Sequence, residues 1–133
     1  MGATMFGKAL LVWGVILLLA IANGGLRERL LVPWLGLNAG LALSGLLLAA
    51  LILGVAVAAV PWLGSRDPRE LAGVGIGWLL ATLVFEFGFG LLRGKPLGEI
   101  LAAYTFRDGN LWPLVVLVTA AAPWLAGRIR GWF

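Results

Sequence analysis

The 133-residue chain contains no cysteine and no histidine. Without thiols there are no disulfides, no thiolate metal sites, no iron–sulfur clusters and no cysteine nucleophile. Without imidazole the commonest metal ligand and the usual proton carrier near neutral pH are gone. Haem and chlorophyll-type pigments lose their ordinary axial ligand, and a Ser-His-Asp triad is impossible. No metal and no cofactor is expected. Charge is scarce as well: 12% of the residues are charged and 62% hydrophobic, where a soluble domain carries about a quarter charged. A soluble fold of this length cannot hide so much apolar surface. The mean hydropathy of +1.03 makes a bilayer the expected solvent. Ten basic residues face six acidic ones, a net charge of +4. The basic residues sit at the ends of apolar runs, where they anchor to anionic headgroups. No contiguous basic face exists, so nucleic acid is not an expected partner.

What remains is organised as four uncharged or nearly uncharged runs, at about 9–25, 38–63, 71–92 and 111–127. Each is near the roughly 20 residues that cross a hydrocarbon core at about 1.5 Å per residue. In lipid every backbone amide must bond within its own segment, so the runs are predicted helices. The expected fold is all-α: one integral membrane four-helix bundle over residues 1–133, with short interfacial helical segments in loops 1 and 3. Lys8, an apolar run and Ala20-Ile21-Ala22 imitate a signal peptide. Three further spans follow, so a retained first span is the preferred reading. "GSRDPRE" (64–70) is a tight polar turn, with Asp67 and Pro68 suited to opening the third helix. "LRERLLVPWLG" (26–36) and "RGKPLGEILAAYTFRDGN" (93–110) mix charge with apolar side chains, and both read as segments lying along the membrane surface. Trp34 and Trp112 suit an aromatic belt on that side, and Trp62, Trp124 and Trp132 on the other.

Four spans place both termini on one side. Lys8, Arg66, Arg69, Arg128 and Arg130 lie there, against Arg27, Arg29, Arg93, Lys95 and Arg107 on the opposite side, a tie. The amino terminus and the basic tail "GRIRGWF" favour termini inside. A tie also permits dual topology. The Gly, Ala, Leu and Arg content fits a GC-rich bacterial genome, hence a bacterial cytoplasmic (inner) membrane.

Polar residues are distributed unevenly by depth. The terminal-side halves of the first two spans are hydrocarbon throughout. The opposite side holds Asn23, Asn38, Ser44 and Glu86, with Arg27, Glu28, Arg29, Lys95, Glu99 and Tyr104 in the two amphipathic loops. On the third helix Trp78, Thr82, Glu86, Gly90 and Arg93 are about one turn apart and share a face. Gly73, Gly77 and Gly90 are expected to admit a neighbouring helix, as are Gly36 and Gly40. Asn23, followed by two glycines, reads as a helix C-terminus. Thr119 is expected to bond its own helix backbone, and Pro113 and Pro123 sit near helix ends. Tyr104 is expected to anchor at the interface.

Glu86 is the costly residue, since an ionised group at mid-span is charged about 2.5 to 3.5 kcal/mol on insertion scales. Either it pairs with Arg27, Arg29 or Arg93 and holds helices in register, or it marks a ligand, ion or proton site. The candidate binding residues are Glu86, Asn23, Arg27, Glu28, Arg93, Thr82, Asn38 and Tyr104, with no catalytic residue assigned. The leading function is binding or passage of a small polar or cationic species or a proton. An accessory or scaffold subunit of a larger membrane complex stands second. A lipid-headgroup binder or lipid-modifying enzyme stands third: Glu86, Glu28 or Glu99 could act as base and Arg27, Arg93 and Lys95 could hold phosphate, but no DxxD-like metal–diphosphate pair is present. Expected partners are membrane lipids, and either a second copy or a larger membrane complex.

"NGGLRER" (23–29), "FEFGFG" (85–90) and "GNLWPLVVLVTAAAP" (109–123) together resemble small four-span bacterial membrane proteins. The resemblance covers most of the chain and implies the fold. That group has no assigned activity, so it implies no function. Size and span count are also similar to the dual-topology fluoride channels, but the threonine- and serine-rich break of their third span is absent; "LLATLVFEFGFG" (79–90) stands there instead.

Overall fold

The computed structural model describes residues 3–102, 104, 105 and 110–133. The polar turn expected at 106–109, with Arg107, lies outside the described residues. Among the described residues there are helices and turns and no strands. Helix α1 is Ala3–Leu26; a π-helical turn, Arg27–Leu31, joins it to α2, Val32–Leu35. Helix α3 is Leu37–Leu63, α4 is Pro68–Leu92, α5 is Leu97–Ala102 and α6 is Trp112–Ile129. Four helical stretches are long and apolar enough to cross a membrane: Thr4–Leu35, Leu37–Leu63, Pro68–Leu92 and Trp112–Ile129.

Local chemistry accounts for the helix ends. Asp67 caps α4, its carboxylate accepting from the Arg69 N–H at 2.9 Å, with Pro68 in the first turn. This is the arrangement expected from "GSRDPRE", because an aspartate accepts an orphan amide and proline has none to satisfy. At its other end α4 closes with a left-handed Gly94 (φ 82°); the Gly94 N–H reaches the Leu91 carbonyl and the Lys95 N–H the Gly90 carbonyl, both at 3.0 Å. That is a Schellman closure. The chain reverses between α2 and α3 at Gly36, whose φ of 89° lies where side-chained residues are strained. Pro61 lies inside α3 and has no N–H for the Val57 carbonyl; Arg130 Nε donates to that oxygen at 2.6 Å. Lys8 Nζ donates to the Trp62 carbonyl at 3.1 Å, and Arg66 stacks over Trp132. The amino-terminal helix, the α3–α4 turn and the carboxyl-terminal tail therefore meet at one end of the bundle.

Helix α6 packs closely against both α3 and α4, α1 packs on α3, and α1 meets α4 more sparsely. The core runs from the terminal end to the base of the opposite half: Val12 and Ile16 of α1, Ile52, Ala56 and Val60 of α3, Leu71, Val74 and Trp78 of α4, and Val115, Ala122 and Ala126 of α6. The closest backbone approach falls at Gly75, where a Cβ would stand 1.8 Å from the Ala120 carbonyl oxygen. This corrects the expectation for Gly73 and Gly77, which have nothing within 4 Å. Those two lie on other faces of the same helix, and the side facing α6 is selected by packing. Gly90 and Gly40 are close contacts as expected, against Ile100 and the Val32 backbone respectively.

Candidate functional site

Where α1 and α4 diverge, the bundle holds a cavity of about 640 Å³. Its polar lining is Asn23, Arg27 and Glu28 from the end of α1 and the π-turn, Glu86 from α4, Lys95 from the turn after it, and Asn110 and Trp112 at the start of α6. Its apolar lining includes Leu17, Ile21, Leu41 and Phe85. Two hydrogen bonds close the space between α1 and α4 on the core side. Trp13 Nε1–H donates to Thr82 Oγ1 at 3.1 Å, and buried Trp78 Nε1–H donates to the Ala9 carbonyl at 2.9 Å. Thr82 in turn donates to the Trp78 carbonyl at 2.8 Å. Above them α4 carries Glu86, one turn beyond Thr82 on the same face.

Asn23 is placed differently from the sequence expectation. Helix α1 runs on past it to Leu26 and continues into the π-turn, so Asn23 is not a helix terminus. It is only 5% exposed and faces α3, where Ser44 Oγ–H donates to its Oδ1 at 2.5 Å. Its Nδ2 is buried with no hydrogen-bond partner among the described residues. Buried amide donors are nearly always satisfied, and leaving one unpaired costs about 1–3 kcal/mol. The same side chain borders the cavity.

Among the described residues no ion pair closes on Glu86. Arg27 and Lys95 share its cavity, but among the described residues the pairing with Arg27, Arg29 or Arg93, one of the two alternatives read from the sequence, does not form. Arg93 instead lies over the Phe89 ring, 5.4 Å from its centroid, and borders a smaller chamber of about 100 Å³ with Glu86, Lys95 and Glu99. The π-turn carries Arg27 back toward the bundle, its guanidinium near Gly24, where a Cβ would meet Nη2 at 3.6 Å.

Tyr104 stacks on Phe87 with ring centroids 5.6 Å apart and near-parallel planes. Its hydroxyl and the Trp112 indole N–H lie near one another but outside hydrogen-bond geometry, and neither has another partner among the described residues. Burial pushes the Tyr104 hydroxyl above the ordinary phenol range; the Trp112 N–H opposes that shift and the Glu86 carboxylate adds to it.

The structure thus gathers Glu86, Asn23, Arg27 and Glu28 around one cavity. Thr82 lines a separate small space of about 30 Å³ with Trp13, Glu86 and Trp112, and Arg93 borders the adjoining chamber. Asn38 is exposed and lines neither space. Lys95, which the sequence placed in the polar cluster as a possible phosphate holder, joins the lining, as do Asn110 and Trp112, which were not candidates. The placement of Lys95 has a local cause: "RGKP" is a helix-stop signature, glycine then proline, and the Schellman closure turns the following residue back over the helix end. Asn110 and Trp112 carried no such signal, and Trp112 had been assigned to the aromatic belt. Comparison of the chain with models of known protein families, with curated proteins and with solved structures gives no match.

Proposed function

We propose that the chain is an integral membrane protein whose four long helices cross a bilayer and hold, at one membrane face, a Glu86-centred pocket that binds a small polar or amphipathic molecule. The apolar exterior supports insertion: Leu11, Leu18, Val84 and Leu117 are all more than 60% exposed, which water would not favour. Helix α5 would lie along the surface on the pocket side, where exposed Leu97 and Leu101 accompany Lys95 and Glu99, while the π-turn and α2 continue the first helical stretch to Leu35 and would bring Arg29 and Trp34 to the same face. The observation that carries the reading is the buried Asn23 amide bordering a cavity that also contains Glu86; among the described residues neither the Nδ2 donor nor the carboxylate has a partner. A ligand supplying an acceptor to the one and a donor to the other would satisfy both.

Binding is better supported than passage through a single chain. Below the Trp13–Thr82 bond the described residues pack mainly through apolar side chains, with the Trp78–Ala9 hydrogen bond between α4 and α1 among them. The surrounding apolar faces would meet lipid, and through them a second copy or a larger complex could assemble.

Two measurements test the reading. The chain has no native cysteine, so Ser65→Cys and Trp34→Cys report sidedness by labelling with an impermeant maleimide in sealed vesicles. Opposite accessibility is expected; equal labelling of both in intact vesicles refutes four crossings. Native mass spectrometry of protein extracted gently from its membrane should show a bound molecule that is lost in Glu86→Gln and Asn23→Leu. Identical bound mass in wild type and both variants removes the pocket from the function.

A further inference from the structure

Resting on that pocket reading, we infer that the occupant is a zwitterionic phosphoester headgroup with an amine that still bears N–H, carried on an apolar tail. The charged lining is balanced, with Arg27 and Lys95 against Glu28 and Glu86, and these charges have not neutralised one another through ion pairs among the described residues. A pocket built with two separated signs is complementary to a ligand with two separated signs.

The donors and acceptors divide the same way. Arg27 and Lys95 are cationic donors on the cavity wall, and the Asn23 and Trp112 side chains border it, each with a buried N–H that has no partner among the described residues. Phosphate oxygens accept several such bonds at once, which is why guanidinium, ammonium and amide N–H recur around them. Glu86 is the acceptor set deepest on α4 and suits an ammonium that can donate. Volume sets the scale: about 640 Å³ is some twenty times the roughly 30 Å³ of a water molecule, too large for a bare ion. Leu17, Ile21, Leu41 and Phe85 supply an apolar wall for the tail, reached between α1 and α4, where those helices meet sparsely.

The test titrates the purified full chain in detergent, read by native mass spectrometry. The probes are dioleoyl-phosphatidylethanolamine, dioleoyl-phosphatidylcholine, dioleoyl-phosphatidylglycerol and tail-free glycerophosphoethanolamine. The ethanolamine lipid is expected to bind roughly tenfold more tightly than the choline lipid, whose ammonium has no N–H, given the usual strength of a charge-assisted hydrogen bond. Glu86→Gln should erase that preference, and Glu86→Asp should keep part of it. Arg27→Gln, Lys95→Gln and Asn23→Leu should weaken both lipids while preserving the preference. Arg69→Gln, which removes a charge at the other end of the bundle, should change nothing. Melting temperature and far-ultraviolet circular dichroism identify any variant that has unfolded, and Glu86→Asp then carries the comparison. Equal binding of ethanolamine and choline lipids by wild type, or a preference that survives Glu86→Gln, overturns the inference. Tail-free glycerophosphoethanolamine binding as tightly as the lipid refutes the tail and leaves a free phosphoester as ligand. If a different co-purified molecule depends on Glu86, the ligand class is wrong and the pocket reading stands. If no bound species depends on Glu86 or Asn23, both fail.

Discussion

Substituting Gly75→Ala adds a single methyl group at the tightest point between α4 and α6. The new Cβ would stand 1.8 Å from the Ala120 carbonyl oxygen, 2.9 Å from its carbon and 3.3 Å from Pro123 Cδ. A close carbon–oxygen contact needs about 3.3 Å, so the helices must part by more than about 1 Å. The obstacle is backbone, which cannot rotate aside as a side chain would. Separation would also loosen Leu71, Val74, Val115, Ala122 and Ala126, which close the core on either side. Overpacking of this kind costs about 3 kcal/mol or more, against about 1 kcal/mol gained from alanine's better helix propensity. The net expectation is a loss of roughly 2 kcal/mol or more. Gly73→Ala and Gly77→Ala provide the internal control, because nothing lies within 4 Å of either added methyl. Each should gain roughly 0.5–1 kcal/mol from propensity alone. Unfolding in mixed micelles by rising sodium dodecyl sulfate, followed by circular dichroism at the helix band, measures all three. A Gly75→Ala protein as stable as the Gly73→Ala protein would refute the α4–α6 register on which the position of Glu86 depends.

Two other outcomes follow from the same geometry. Trp78→Phe keeps the ring in the core but removes the N–H that reaches the Ala9 carbonyl, so it should cost about 1 kcal/mol and loosen α1 from α4, measurable as faster amide exchange in α1. Tyr104 is the sole tyrosine, so its ionisation can be followed directly by phenolate absorbance; the midpoint should lie above the usual value of about 10. Because the folded state holds that proton more tightly than the unfolded one, its stabilising contribution is complete below the unfolded value and is lost as pH rises through the folded one. Unchanged stability across that alkaline window would refute the burial of its hydroxyl.

Much of the architecture could be read without coordinates, because it depends on neighbours in the chain. Long apolar runs without charge must be helical wherever their amides are kept from water. Asp67-Pro68 starts a helix through its own carboxylate and its missing N–H, and Thr119 bonds the Val115 carbonyl one turn back. The concentration of polar residues toward one end was also visible, since it is a matter of position along each run. Which faces meet is a different kind of information. The rotation of α4 that puts Gly75 rather than Gly73 or Gly77 against Ala120 depends on side chains tens of residues away. So does the fate of Asn23: two following glycines suggested an ending, but the π-turn carries the helix onward and Ser44, 21 residues later, takes its amide oxygen. The absence of an ion pair at Glu86 among the described residues and the inward position of Trp112 have the same origin. Local bonding selects the elements, whereas close packing of whole helices selects their rotation and spacing, and with them the groups that share a cavity.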